Sequence, residues 1–492
     1  MIDNSGFVLE KRKLTRKAKT IILFISFLVF LAIVTIVAVV LIKNIDKNED
    51  FNFDLPKTFY YGATINVPLK VDSTWVQGLK FNDFDVVQKG SLVVMNSDYI
   101  LDPQEEGQTE LKILYDNKVI AVYIIDIFSN PKYISSADDF KSIEKYDLCI
   151  QTQDFIVKSN TMIDDFSGKY YGNYFAISGL DVSNNSGLFN NLLNARISGV
   201  KLDKVQGKVT DITRIFFGAL VNNAYASHFY GIEASGSISF ELPDTAIFNI
   251  GSLFGTLEYD DRTTEYLNAT DPYAASDCLS QININIKTNG KILTGGIVGS
   301  LVNLSIKNCT YSGIITIANY DDDALEMTIG GIVGYVNNRV PIAGLLTNEF
   351  INGDTLINDG SIIIKDILNK TTNKIGGIFG EVLNTSITNC EARGLIEIIS
   401  GSGHLYAGGI IGYATKSDSV STLNMYIEKS IVEGVMDIFA KGTVHCGGIA
   451  GFASNMTINE DNNNSGYRII INKANSINDD MIFEDPVMPY IF

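Results

Sequence analysis

A glycine-marked repeat constrains the fold of this chain more than any other feature of its sequence. The pattern Gly-Gly-Ile-x-Gly occurs five times, and its last glycine falls at Gly299, Gly334, Gly380, Gly412 and Gly451. The steps between these glycines are 35, 46, 32 and 39 residues. Self-similarity at such periods is typical of repeat architectures, in which each unit stacks on the next. A chain of 492 residues can therefore form one elongated core instead of several globular ones.

Two of the repeats superimpose without a gap. Their sequences are GSLVNLSIKNCTYSGIITI from Gly299 and GEVLNTSITNCEARGLIEI from Gly380. Both contain an Asn-Cys pair at the same offset, followed four residues after the Cys by a glycine. Weaker copies of the glycine motif precede them at 187–190, 215–218 and 251–255. So many matches at equal offsets indicate a structural repeat.

Each repeat also contains a strand with two different faces. After Gly394, Ile396 and Ile398 are apolar, whereas Glu397 between them is charged. The same alternation follows three other glycines, namely Gly236, Gly313 and Gly434. Alternation with period two places one face of a strand in a core and the other in water. Equivalent residues of successive repeats are therefore expected to stack along an axis.

This stacking predicts an all-β fold, a right-handed parallel β-helix (solenoid) over residues 133–470. We expect about nine coils, each with about three short strands, in which the glycines turn corners that need a positive φ or a close backbone approach. Extra residues in the longer repeats are expected to form loops at the corners. Because each end of a β-helix is an open sheet edge, both ends need a cap. Ser135-Ser136-Ala137-Asp138-Asp139-Phe140 has the form of a capping box and predicts a short helix that closes the first coil.

The segment DDFSGKYYGNYFAISGL from Asp164, together with the later GGIVG…C…G units, resembles the GLUG-type repeat family. The resemblance covers about residues 133–460. It implies glycine-marked coils of the pectin-lyase-like architecture and a cell-surface setting. Members of that family occur in adhesin-like surface proteins and as accessory regions of secreted peptidases, so the resemblance implies no single activity.

An apolar segment near the N-terminus predicts a membrane anchor. The 22 residues from Ile21 to Ile42 contain no charged residue, Pro or Gly, and as a helix they would span about 33 Å. Six Lys and Arg residues lie in the tail at 1–20, which the positive-inside rule places in the cytoplasm. A cleaved signal peptide would have a shorter apolar stretch and a small-x-small site. We therefore expect a single-pass protein of the cell membrane with its C-terminal part outside.

Two further segments complete the predicted organisation. Residues 51–130 alternate β-branched and aromatic residues between turn signals, for example in VIAVYIIDI from Val119, and they predict a small β-sandwich. This stretch resembles the bacterial Ig-like surface modules. Ser129-Asn130-Pro131 then marks a domain boundary. Residues 471–492 are expected to form a C-terminal cap or tail.

Composition excludes some functions. The formal net charge is −18 and no cluster of Lys and Arg residues follows Lys19, so nucleic-acid binding is not expected. The five cysteines are scattered without a CxxC pair, which fits neither a disulfide framework nor a zinc site. We interpret Cys309 and Cys390, with Ser430 in the equivalent place, as small buried residues inside the coil.

Candidate catalytic groups are sparse. The run Asp321-Asp322-Asp323, His404 and Arg468, which begins RIIINK, faintly resemble parts of polygalacturonase-type hydrolases. The match fails because the Asp run lies in a loop before a repeat start, and because His404 lies in an insertion before Gly408 and lacks the glycine that should follow it. His445 and Cys446 are adjacent on a strand and should point to opposite faces, which precludes a nucleophile–base pair. The run Asp461 to Asn464 lacks the glycine pattern of calcium-binding β-rolls. No catalytic residue, cofactor or metal ligand is assigned.

Three functions remain open at this point. The first is a non-enzymatic adhesin or display scaffold that binds glycans or proteins outside the cell. The second is a polysaccharide lyase or hydrolase on a β-helix. The third is an accessory region of a larger surface assembly. The outward topology favours the first, because solenoids expose long, flat faces that suit binding.

Overall fold

The fold is described from a computed structural model. The structure describes seven strands before residue 130 and most of residues 131–473. The gaps in 131–473 are 158–161, 184–186, 211–215, 243–246, 260–272, 319–325, 339–350, 368–370, 401–402, 417–424, 441, 456, 460 and 463–467. The predicted anchor from Ile21 to Ile42 and the predicted tail beyond Lys473 lie outside these residues. In the described part, no helix is long and apolar enough to cross a membrane. The chain divides into two compact units, Met1–Asp126 and Ile127–Phe492.

The described strands of the first unit form two small sheets. Its larger sheet has the strand order Thr58–Tyr60, Lys118–Phe128, Gly107–Tyr115 and Phe84–Lys89, where Lys118–Phe128 runs two residues past the unit boundary. The smaller sheet has the order Ile65–Asn66, Ile100–Pro103 and Val93–Met95. The pairs with a described register are antiparallel in both sheets. The expected β-structure of residues 51–130 is therefore present, while an Ig-like arrangement of the strands stays a prediction.

The second unit is built from four sheets whose described pairings are all parallel. We number them in the order in which the chain passes through them in a coil that has all four sides. Sheet 1 contains Lys132–Ile134, Leu148–Gln151, Lys169–Tyr171, Arg196–Ser198, His228–Tyr230, Tyr273–Ser276, Ser305–Lys307, Ile351–Asp354, Ser386–Thr388, Tyr426–Glu428 and Thr457–Ile458. Sheet 2 contains Phe155–Ile156, Ala176–Ser178, Lys201–Val209, Glu233–Leu242, Leu279–Thr288, Ile314–Ala318, Ser361–Ile367, Leu395–Ser400, Val435–Ala440 and Arg468–Lys473, with the short strands Thr310–Tyr311, Ile357–Asn358, Glu391–Ala392 and Ile431–Val432 beside them.

The other two sheets are interleaved with these along the chain. Sheet 3 contains Phe216–Phe217, Ile247–Gly251, Lys291–Gly295, Met327–Gly330, Thr372–Gly376, His404–Gly408 and Thr443–Gly447. Sheet 4 contains Ile163–Phe166, Phe189–Leu193, Val221–Tyr225, Phe254–Glu258, Val298–Val302, Val333–Asn337, Phe379–Leu383, Ile411–Thr415 and Ala450–Ala453.

The chain winds through these sheets as a parallel β-helix. The nine strands of sheet 4 mark nine coils in the described residues, as expected from the repeats. The expectation of about three strands per coil is wrong from Phe216 onward, because sheet 3 begins there and adds a fourth side. The first two coils pass from sheet 2 directly to sheet 4. The right-handed sense of the winding stays a prediction that agrees with the general preference of parallel crossovers.

The core consists of columns of equivalent side chains, as the alternation predicts. In sheet 2, Ile396 pairs with Ile362 before it and Met436 after it, and Ile398 pairs with Ile364 and Ile438. Ile396 and Ile398 are 3% and 1% exposed, whereas Glu397 between them is only partly buried. Each side chain is therefore covered mainly by its counterparts one coil away.

The Gly-Gly pair of each repeat makes the corner between sheets 3 and 4. A Cβ on Gly377 would lie far closer to the Gly409 carbonyl oxygen than the sum of their van der Waals radii, and 2.9 Å from Cβ of Ala392. A Cβ on Gly409 would meet the Gly448 carbonyl oxygen in the same way and would lie 2.6 Å from Cγ1 of Val432. Neither glycine has a φ in the left-handed region, so close approach between coils is the reason for glycine here.

The other tight corners are turned by residues in the left-handed conformation, mostly without glycine. Between sheets 1 and 2 this residue is Gly199, Gly231, Asp277, Asn308, Thr355, Asn389 or Lys429, and between sheets 4 and 1 it is Asn194, Ala226, Asn303, Asn384 or Asn455. Asn is the most frequent type because its short polar side chain tolerates this conformation. Glycines were expected to turn the corners of the coils. This expectation is wrong for most of the corners between sheets 1 and 2 and for those between sheets 4 and 1.

Lys429 has a φ of 49° at a corner where the preceding coil uses Asn389 and an earlier coil uses Asn308. The change Lys429→Asn is expected to raise the free energy of unfolding by about 0.5–1 kcal/mol, because Asn relieves left-handed strain at less cost than Lys. Thermal melts of the full-length chain measure this. The control Lys365→Asn, on an exposed strand position, should give no stabilisation. Equal shifts for both variants would contradict the corner assignment.

The first coil is closed by the predicted capping helix, which spans Ala137–Lys141. The backbone N–H of Asp139 donates to Oγ of Ser136 (3.1 Å), and the N–H of Ser135 donates to a carboxylate oxygen of Asp139 (3.0 Å). Phe140 is fully buried and packs on three rings, those of Phe155, Tyr170 and Phe189, with centroids 5.7 to 6.0 Å away. The helix thus plugs the apolar end of the core.

Candidate functional site: the groove between sheets 3 and 4

The outward faces of sheets 3 and 4 converge, and their side chains touch along the axis. We call this feature the sheet 3/4 groove. On sheet 3 it is lined by the column Asn249, Leu293, Thr328, Lys374, Tyr406 and His445. On sheet 4 it is lined by the column Thr256, Ser300, Tyr335, Glu381, Tyr413 and Phe452. The Gly-Gly corners create the groove, because they let the two backbones fold sharply against each other.

The groove changes in character along the axis. Between Asn249 and Tyr335 its walls carry three small hydroxyl side chains that are almost fully buried, together with Leu293 and Tyr335. Thr256, Ser300 and Thr328 are 3%, 4% and 1% exposed. Nδ2 of Asn249 donates to Oγ1 of Thr256 across it (3.3 Å). There the two walls touch and leave little room for a ligand.

In the last three coils large aromatic and charged side chains replace the small ones. The rings of Tyr406 and Tyr413 meet edge to face with centroids 5.0 Å apart. His445 stacks on Tyr406 at 4.6 Å, and Phe452 stacks on Tyr413 at 4.8 Å. Lys374 points over the ring of Tyr413, with Nζ 4.6 Å from its centroid. These contacts fix the rings in defined orientations.

A cavity of about 530 Å³ opens at this aromatic part of the groove. Its lining residues are Glu326, Thr371, Thr372, Lys374, Tyr406 and Tyr413. This volume lies in the range of small-ligand sites. The wall combines apolar ring faces with hydroxyl, carboxylate and ammonium groups, so it can offer both packing and hydrogen bonds.

The charges beside the cavity are compensated within the protein. Nζ of Lys374 lies 2.7 Å from Glu381, and Nζ of Lys291 lies 2.5 Å from Glu326. Burial raises the pKa of Tyr413, and the neighbouring Tyr406 and Glu381 raise it further. Its hydroxyl therefore stays protonated at neutral pH and can both donate and accept a hydrogen bond.

The hydrolase-like residues considered from the sequence do not form a common site in the described residues. Asp321-Asp322-Asp323 lies outside them. His404 is exposed and begins a strand of sheet 3, so its interpretation as an insertion residue is wrong, and Arg468 begins a strand of sheet 2. His404 pairs with Thr372, which places it at the rim of the cavity. His404 is therefore relevant because it lies beside the cavity, and not because its sequence resembles a hydrolase motif.

The cysteines pack inside the coils. Cys309, Cys390 and the equivalent Ser430 are fully buried, in agreement with their interpretation as small core residues. Burial raises the pKa of Cys390 to about 12, so its thiol stays protonated at neutral pH. Cys446 pairs with Ala407, whose side chain faces the core, whereas its neighbour His445 stacks on Tyr406 on the outer face. The two side chains therefore point to opposite faces, as predicted.

Part of the Asn-rich run supports the last corner between sheets 1 and 2. Asp461 accepts a hydrogen bond from the backbone N–H of Lys429 (3.2 Å), and Asn462 accepts one from the N–H of Ser430 (2.9 Å). The amide of Asn462 also donates to the carbonyl oxygen of Ile427 (2.8 Å). These side chains replace the hydrogen bonds that a further coil would make, which is a structural role.

Sequence reasoning missed the groove residues. They occupy two fixed places in each repeat, the second residue before the Gly-Gly pair and the residue directly after the third glycine. In the last two full repeats these places hold Tyr406 and Tyr413, then His445 and Phe452. The change from small to aromatic residues at these places is visible in the sequence. That the two places face each other follows only from the corner geometry.

Comparison with known proteins does not decide the function, because no protein-family model and no curated protein matches this chain.

Proposed function

We propose that this chain is a non-enzymatic binding protein of the cell surface, whose β-helix carries a glycan-binding site in the sheet 3/4 groove. The observation that supports it is the cavity beside Tyr406 and Tyr413, with Thr371, Thr372 and Lys374 around it. A sugar ring has a face of C–H bonds that packs on an aromatic ring, and its hydroxyl groups need hydrogen-bonding partners at the edge. The cavity offers both kinds of contact.

A neutral glycan fits this site better than a charged ligand. Lys374 and the two nearby glutamates form ion pairs with one another or with Lys291, so a charged group would have to displace a protein partner. The rings are held by mutual stacking before any ligand binds. Such preorganisation lowers the entropic cost of binding.

The cellular location proposed for this protein depends on the sequence alone. We propose that Ile21 to Ile42 anchors the chain in the cell membrane, that the basic tail stays in the cytoplasm and that everything beyond the helix is extracellular. Residues 51–130 then act as an Ig-like stalk that carries the β-helix. The resemblance to GLUG-type repeats agrees with such a surface role.

A glycan array with the full-length chain in detergent, followed by titration of the glycans that bind, tests the proposal. Tyr406→Ala is expected to weaken binding about tenfold or more, because it removes a ring that lines the cavity. Thr372→Arg should weaken it as well, since the longer side chain fills the cavity. Phe439→Ala is the matched control, because this exposed ring lies on sheet 2 away from the groove.

Thermal melts of all four proteins show whether the fold survives each change. Absence of any glycan ligand, or glycan binding that is equal in Tyr406→Ala and in the unchanged chain, would contradict the proposal. Capture of a stable protein partner by cross-linking on intact cells would instead support an accessory role in a surface assembly.

A polysaccharide-cleaving enzyme is the second candidate, because Glu326 lines the cavity and Glu381 lines the same groove. Glycoside hydrolysis needs two carboxyl groups on either side of the scissile bond, one of them as a proton donor. Here each carboxylate is ion-paired with a lysine, so neither can approach a glycosidic bond without breaking its ion pair. Release of reducing or unsaturated ends by the full-length chain, with loss in Glu326→Gln, would support this alternative.

A further inference from the structure

Sheet 1 carries a row of exposed tyrosines on its outward face near the N-terminal end of the β-helix. Pairing aligns the outward positions as Tyr133, Ile150, Tyr171, Ser198 and Tyr230 on five successive strands. Tyr133, Tyr171 and Tyr230 are 64%, 40% and 53% exposed. Because neighbouring strands lie about 4.8 Å apart, these rings recur at about 9.6 Å. We call them the tyrosine row.

A fourth ring widens this row. Tyr174 is 54% exposed and lies beside Tyr230, where it reaches over Gly231. A Cβ at Gly231 would collide with the hydroxyl oxygen of Tyr174. The glycine after Tyr230 therefore makes the space that brings the two rings together. Soluble proteins rarely expose several large rings on one flat face unless the face binds something.

A basic row runs parallel to the tyrosine row. Lys169, Arg196 and His228 occupy successive strands, each two residues before the outward position of the tyrosine row on the same strand. Arg196 is exposed, and it forms no ion pair with any residue of the described ranges. Lys169 is buried with Nζ 5.0 Å from the ring centroid of Phe128, and Nδ1 of His228 lies 3.1 Å from the carbonyl oxygen of Tyr273. The accessible positive charge is thus that of Arg196.

We propose that this face of sheet 1 is a second binding site, and that its ligand is an extended acidic polysaccharide, such as a polymer of uronic acids, that lies along the helix axis. The distance between successive tyrosines is close to the length of two pyranose units in an extended chain. Alternate sugars can then stack on Tyr171 and Tyr230, while a carboxylate from a sugar between them reaches Arg196. A guanidinium binds a carboxylate with two parallel hydrogen bonds.

The local contact with Arg196 selects this occupant, because the two carboxylates near Tyr174, Glu233 and Asp277, are held by Lys201 and Asn308. The chain as a whole has a formal charge of −18, so its long-range field repels a polyanion, and binding has to depend on local contacts. A neutral glycan would leave the guanidinium of Arg196 unused. An acidic peptide could pair with Arg196, but it has no sugar rings that could stack on the tyrosines at this spacing.

The test is a titration of the full-length chain, in detergent, with sodium alginate as the acidic polymer. Dextran serves as a neutral polymer and poly-glutamate as an acidic peptide. The three polymers are compared in the Tyr406→Ala variant, so that binding in the sheet 3/4 groove does not contribute. There alginate is expected to bind and the other two to bind at least about tenfold more weakly. The double variant Tyr171→Ala/Tyr230→Ala and the single variant Arg196→Ala should each weaken alginate binding about tenfold or more. Arg196→Lys should recover only part of the loss, because lysine keeps the charge without the planar fork.

Two controls separate this site from other effects. Lys365→Ala removes an exposed lysine from sheet 2, three coils beyond the coil of Tyr230, and it should leave alginate binding unchanged. Tyr406→Ala removes the groove ring and should also leave it unchanged, so failure of one site is distinguishable from failure of the other. Melting temperatures identify any variant that fails to fold. The proposal is overturned if folded tyrosine and Arg196 variants bind alginate like the unchanged chain, or if dextran or poly-glutamate binds equally well.

Discussion

Gly377→Val and Gly409→Val are expected to destabilise the β-helix more than any other single change considered for this chain, by more than about 4 kcal/mol. The added Cβ would collide with a backbone carbonyl oxygen of the next coil, at Gly409 or Gly448 respectively. Backbone atoms held in parallel pairing on both sides cannot move away without breaking hydrogen bonds. The corner between sheets 3 and 4 would therefore open, and with it the groove.

Thermal melts and limited proteolysis of the full-length chain measure this effect. Thr443→Val is the matched control, because it places the same valine on an outward position of sheet 3 and should change stability by less than about 0.5 kcal/mol. If Gly377→Val melted like Thr443→Val, the close approach of the coils at this corner would be wrong.

Ile396→Ala and Ile398→Ala are each expected to lower the free energy of unfolding by about 2–5 kcal/mol, the range for large-to-small changes in a packed core. Both side chains are covered by their counterparts in the preceding and following coils, so truncation leaves a cavity inside a continuous column. Glu397→Ala between them should change stability by less than about 0.5 kcal/mol, because this side chain is on the wet face.

Denaturant melts followed by circular dichroism decide between these expectations. All three residues lie on one strand, and each is changed to alanine. Differences in stability that come from β-propensity are therefore small compared with the loss caused by a cavity. Equal losses at positions 396, 397 and 398 would show that the strand does not have two different faces, and the β-helix assignment would then fail at this repeat.

The fold was largely predictable because it depends on alternation and repetition, which a sequence displays directly. Ile396 and Ile398 are apolar in one repeat and their counterparts are apolar in the others, so a column follows from period-two geometry alone. The number of sides per coil was not predictable in this way. Sheet 3 adds a side at Phe216 without any new motif, and corner residues such as Thr355 and Lys429 have no glycine to mark them.

The candidate sites were hardly predictable, for a related reason. A binding surface is formed by residues that face outward, and their types vary from coil to coil because the core does not constrain them. Tyr406 and Tyr413 are seven residues apart in the sequence, yet only the sharp Gly-Gly corner brings their rings into contact. Tyr171 and Tyr230 are 59 positions apart, and they share a row because the intervening coil places them in register.

The aromatic plug formed by Phe140 has a consequence for how the polypeptide acquires its structure during synthesis. The N-terminal rungs leave the ribosome first, and their outer end is already closed by the short helix. Each later rung then adds to a completed template on one side, and every new contact joins segments only one rung apart. Unpaired strand edges are then confined to the newest rung at any moment, which keeps the surface available for self-association during assembly small.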